Sequence, residues 1–153
     1  MSLSNLEASG ASAGGVNLRL PHFQTAGYGS SIPSGVETFT TGWAPAEGSL
    51  AGNFNNTTGI FTAPVAGHYL VSFGFGYAGG APSAGIIMAR LTATTYFSQN
   101  IYPSNCGGTL SITATAPLRL QAGDTLRASV FQTVGSPLAI SGGEFEAYLI
   151  SAL

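Results

Sequence analysis

From Val16 onward, apolar and polar residues alternate with a period of two, and no stretch repeats at helical spacing with caps. The clearest case is GHYLVSFGFGY at 67–77. Tyr69, Val71, Phe73, Phe75 and Tyr77 share one face, and His68, Leu70, Ser72, Gly74 and Gly76 share the other. LSITATAPLRL at 110–120 sets Leu110, Ile112, Ala114, Leu118 and Leu120 against Ser111, Thr113 and Thr115. DTLRASVFQ and EFEAYLI alternate in the same way, and AGD at 122–124 is a tight turn between two strands, with glycine supplying the permissive backbone. Short strands punctuated by Gly, Pro, Asn and Ser predict an antiparallel sandwich with one apolar face per strand.

Within the first of these strands, GFGYAG is a literal G-x-G-x-x-G. A dinucleotide site needs a helix directly after the glycines and an acidic residue about 20 positions later. Here GGAPSAG follows, and the next acidic residue after Glu47 is Asp124. Gly74 and Gly76 are therefore read as packing positions on the non-core face, where the missing side chain admits another backbone or subunit.

Composition narrows the partners. Charged residues make up 7% of the 153, there is no lysine, and the net charge is −2. So few charges predict that partners bury part of the surface. Four single arginines do not form the cationic cluster that phosphate backbones require, so no nucleic-acid partner is expected. No apolar run is long enough to span a membrane, and MSLSNLEASGASAGG has no basic, apolar start of a secretory signal. Residues 1–15 read as a flexible anchoring arm and residues 16–153 as a single domain.

Catalytic candidates are few. GASAG at 10–14 matches G-x-S-x-G but sits in the arm, without the strand and helix of a nucleophile elbow. His22 and His68 are far apart, and Cys106 is a single cysteine read as structural. Asn55-Asn56-Thr57-Thr58 is read as a turn. No enzymatic activity, cofactor or metal cluster is expected. Trp43, Tyr77, Tyr96 and Tyr102 are the aromatic residues assigned to loops that could meet a ligand.

Three stretches together carry a family resemblance. TTGIFTAPVAGHYLVSF resembles the F-x-x-P-x-x-G-x-Y-x-x-x-F core of the globular complement C1q head, LRLQAGDTLRASV its L-x-x-G-D hairpin, and GEFEAYLI its terminal F-x-G-F-L strand. The likeness runs over about residues 54–150. Ala147 stands where the family has glycine, and no Gly-X-Y stalk precedes the domain. The resemblance implies a ten-strand antiparallel jelly roll of the C1q/TNF type, assembled as a parallel homotrimer. It places His68, Leu70, Ser72, Gly74, Ser111, Thr113, Tyr148 and Ile150 at or near the threefold axis, and Tyr69, Phe73, Leu118, Leu120, Phe145 and Leu149 in the sandwich core. Glu144 and Glu146 would bring six carboxylates together in such a trimer. They are read as exposed rim groups, with a calcium ion as the alternative.

Two functions fit these expectations. The first is a virion capsid decoration (cement) protein of a tailed bacteriophage, held to the capsid or another assembly surface through residues 1–30. The alternative is a trimeric recognition head for glycan or protein on a phage fibre, a spore or a bacterial surface.

Overall fold

The computed structural model of the chain describes residues 20–77, 85, 87–92, 96–101 and 110–153. In chain order its β segments are β1 (His22–Ala26), β2 (Ser31–Ile32), β3 (Thr38–Phe39), β4 (Phe54–Asn55), β5 (Ile60–Thr62), β6 (Gly67–Tyr77), β7 (Ile87–Thr92), β8 (Tyr96–Ile101), β9 (Leu110–Leu120), β10 (Thr125–Gln132) and β11 (Leu138–Ala152). They form two sheets. One has the order β1-β11-β6-β9, with β2 added to β11; the other has the order β4-β5-β10-β7-β8, with β3 added to β10. Every pairing is antiparallel. The chain crosses between sheets from β9 to β10 and again from β10 to β11, so strands that are neighbours in sequence face each other across the core.

The alternating stretches become the long strands. β6 is central in its sheet because both its edges pair along most of their length, with β11 on one side and β9 on the other. Its odd-numbered residues are buried and its even-numbered ones, from His68 on, look outward. β11 extends beyond the seven residues expected of it, back to Leu138. Gly142 and Gly143 read locally as a strand break, yet they continue the ladder opposite Gly76 and Phe75, with a register shift between Ile140 and Gly142. A Cβ on Gly143 would sit 3.1 Å from the Gly74 carbonyl oxygen and 3.3 Å from the Trp43 ring, so glycine here permits close approach rather than ending the strand.

Between the sheets lies an aromatic cluster. Phe23 stacks on Phe54 at 4.9 Å and on Phe61 at 4.7 Å and meets the edge of Phe145 at 5.2 Å. Burial of side chains this large contributes about 1.5–3 kcal/mol each, and it ties β1, β4, β5 and β11 into one core. Phe23 is fully buried and β1 pairs with β11 over all five of its residues. From His22 onward the chain is part of the sandwich, because Phe23, Tyr28 and Ile32 bury their side chains in it.

Polar groups inside are satisfied by specific side chains. Gln132, fully buried, donates Nε2 to the carbonyls of Ile32 and Ser136, both at 2.9 Å, and accepts from the Val134 amide at 2.6 Å. It thereby closes the turn after β10 and holds β2. The Asn55–Gly59 turn is set by the Asn55 side chain, which accepts from the amides of Thr57 and Thr58 at 3.1 Å each. In the predicted turn before β10, Gly123 has φ 88° and Asp124 accepts the Gln121 amide at 2.8 Å.

Candidate interaction face

The two sheets present very different outer surfaces. On the sheet of β4, β5, β10, β7 and β8, β3 pairs with β10 in the plane of the sheet, and the side chains of Glu37 and Phe39 reach outward residues of β7 and β10. Glu37 pairs with Arg90 at 3.4 Å and accepts from Ser129 at 2.7 Å, and Phe39 lies against the Arg127 guanidinium, 4.1 Å from ring centre to Cζ. On the sheet of β1, β11, β6 and β9 nothing among the described residues covers the outer face. That face is laid out by register. Leu70 stands between Pro117 and Tyr148, Ser72 between Thr115 and Glu146, and Gly74 between Thr113 and Glu144.

The result is a face with two ends. At one end, Leu70 is 39% exposed and Ile150 is 50% exposed, beside Tyr148 and Pro117. The His22 ring stacks on Tyr148 at 5.2 Å, and the Tyr148 hydroxyl donates to Glu146 at 3.0 Å. Burial, and the neighbouring carboxylate of Glu146, push the Tyr148 hydroxyl above its ordinary range. His68 meets the Ser151 hydroxyl at 3.2 Å. In the middle of the face, Thr115 donates to Ser72 at 3.1 Å, so two hydroxyls satisfy each other without water. At the other end Gly74, Gly76, Gly142 and Gly143 leave bare backbone and a depression of about 390 Å³, rimmed by Ser111, Thr113 and Glu144.

The residues assigned to the axis, His68, Leu70, Ser72, Gly74, Ser111, Thr113, Tyr148 and Ile150, thus lie together on one outward face. Those assigned to the core, Tyr69, Phe73, Leu118, Leu120, Phe145 and Leu149, are buried between the sheets. Glu144 and Glu146 also look outward, and no group of three His, Cys, Asp or Glu residues able to hold a metal is found among the described residues.

Two of the aromatic assignments are corrected. Trp43 is 3% exposed, with its ring 5.2 Å from Tyr28 and 6.1 Å from Phe145, so it fills the core rather than meeting a ligand. Tyr77 is 8% exposed at the end of β6, on the same inward face as Phe73 and Phe75. Tyr96 begins β8. Tyr102, Cys106 and the arm at 1–15 lie outside the described residues. Sequence reasoning also overlooked His22, Gln24, Pro117 and Arg119, which share the outer face through the registers of β1 and β9. Alternation in HFQTA and APLRL carried that signal.

No protein-family model matches the sequence, and no curated protein matches it. Solved structures do. The globular domain of zebrafish complement 1qA protein is similar with a TM-score of 0.65 and 21% identity, over 87% of this chain and 99% of that one. Eiger TNF from S. frugiperda is similar with a TM-score of 0.56 and 16% identity, over 87% of this chain and 95% of that one. At these identities the likeness is one of fold, and the chain has the C1q/TNF-like jelly-roll fold.

Proposed function

We propose that the protein is a non-enzymatic homotrimeric module that assembles through the outer face of the β1-β11-β6-β9 sheet. One observation carries this reading. The face leaves Leu70 and Ile150 exposed beside Tyr148 on the long β11-β6-β9 ladder. Exposed apolar side chains rimmed by polar ones mark an association surface, and structures with this fold supply the trimeric precedent. Ser72, Gly74, Gly76, Ser111, Thr113 and Thr115 give the middle and one end of the face small side chains that let a second copy approach closely. Light scattering after size exclusion tests the reading. A mass three times the 15.5 kDa chain is expected, and a clean monomer would discard the trimer and its interface.

Within this reading the trimer decorates a capsid, with the anchor confined to residues before Leu20. The support is compositional: scarce charge, and a Ser/Ala/Gly-rich stretch ahead of β1. Deleting residues 1–19 from the full chain and measuring co-sedimentation with expanded capsids tests it. Loss of capsid binding with the trimer retained is the expected result, and undiminished binding would refute the anchor. The recognition-head reading is favoured by a separate feature, a polar depression on the opposite sheet.

A further inference from the structure

That depression, about 720 Å³, lies over β4 and β5 and is lined by Asn53, Asn55, Asn56, Thr57, Thr58 and Thr62 with Ile60 among them. Every polar side chain in it is a neutral amide or hydroxyl, able to meet hydroxyl groups as donor or acceptor. Its size is that of a small-molecule site. The register then continues it across the sheet: Asn55 pairs with Ile60, Ile60 with Arg127, and Arg127 with Thr92.

Arg127 is a second and independent observation. Its guanidinium is held 4.1 Å from the centre of the Phe39 ring, and Phe39 is itself 38% exposed. Its Nη2 donates to the Thr58 carbonyl only at 3.5 Å, the long limit of a hydrogen bond. The Glu37 carboxylate on this sheet pairs with Arg90, and no ion pair joins Arg127 to a carboxylate among the described residues. Its Nε and the neighbouring Thr92 Oγ1 are both shut from solvent without a hydrogen-bond partner. With Nε shut in, the Nη1–Nη2 edge of this stacked guanidinium remains for a planar carboxylate, which it can grip with two parallel bonds.

We infer that this strip binds an acidic saccharide: Arg127 takes the carboxylate of a hexuronic acid unit, the Asn/Thr depression takes its hydroxyls and those of the next unit, and Ile60 with Phe39 lies under the C–H faces. The site is on the sheet opposite the proposed oligomer face, so it stands whether or not the chain trimerises. In a trimer three such sites would act together and strengthen weak binding to a polymer.

The test is a titration of the full-length protein, followed by amide shifts in NMR, with an oligogalacturonate and with a neutral oligosaccharide of equal length. Shifts confined to Phe39, residues 53–62 and Arg127, saturating with the acidic sugar alone, are expected. Arg127→Gln should weaken that binding about tenfold or more, the loss expected for a charge-assisted pair. Thr57→Ala, at an exposed position away from the guanidinium, should weaken it less and leaves a folded control should Arg127→Gln misfold. Equal response to both sugars, no response to either, or shifts elsewhere on the molecule would overturn the inference.

Discussion

Leu70 stands directly opposite Tyr148 in the β6–β11 ladder, on the face turned away from the core, with Ile150 in the irregularity just beyond. Leu70 is 39% exposed in the middle of a long central strand, on the face away from the core. Leu70→Arg is expected to leave the fold intact and to shift the native mass from three chains to one, because a C3 assembly would bring three like charges together and such juxtaposition costs several kcal/mol. Size exclusion with light scattering reads the mass, and far-UV circular dichroism the fold. A trimeric L70R protein would move the interface elsewhere.

Gln132 is buried with three hydrogen bonds that no other side chain can replace. Gln132→Ala strands two carbonyls and an amide, at about 1–3 kcal/mol for each group left unsatisfied. Urea unfolding should show the midpoint falling with little change in slope. A loss under about 0.5 kcal/mol, the range of neutral surface changes, would mean that water reaches these groups.

Gly59 has φ 69° beneath the Thr40 carbonyl, into which a Cβ would run, and its amide donates to Asn55 at 2.8 Å. Gly59→Ala is expected to cost about 1–3 kcal/mol or more, from backbone strain and the clash together. Gly135→Ala is the control. Gly135 also has positive φ, 90°, but nothing lies within 4 Å of the added Cβ, so only the backbone term remains. Equal losses in a thermal melt would show that crowding at Thr40 is absent.

Burial pushes the hydroxyls of Tyr28 and Tyr69 above the ordinary value of 10.0. Unfolded chains release these protons near pH 10.0 while the folded protein still holds them, so the unfolded state binds fewer protons there. The stabilisation is complete below that pH and is lost as pH rises through the higher, folded-state values. Urea midpoints should hold steady up to about pH 9 and fall by about pH 11, and Tyr69→Phe should flatten part of the fall. A midpoint that rises over this interval would contradict the assignment.

The strand faces could be read from sequence because period two is a local property. Tyr69 and Leu70 take opposite sides whatever surrounds them. Trp43 shows where local reading stops. TTGWAPAEG contains the residues of a surface loop, and nothing in it reveals that Tyr28, Phe73 and Phe145 close around the indole.

By itself the sequence determined the strand periodicity, the inward and outward sets of β6 and β9, the turn at 122–124 and the low charge, since each depends on neighbours a few residues away or on composition. Only the tertiary structure decided that Trp43 fills the core, that β11 runs back to Leu138, and that Asn55, Ile60, Arg127 and Thr92 line up in one row. Those facts depend on pairings between segments as far apart as β5 and β10, and hydrogen-bond register across such distances leaves no local trace in either strand.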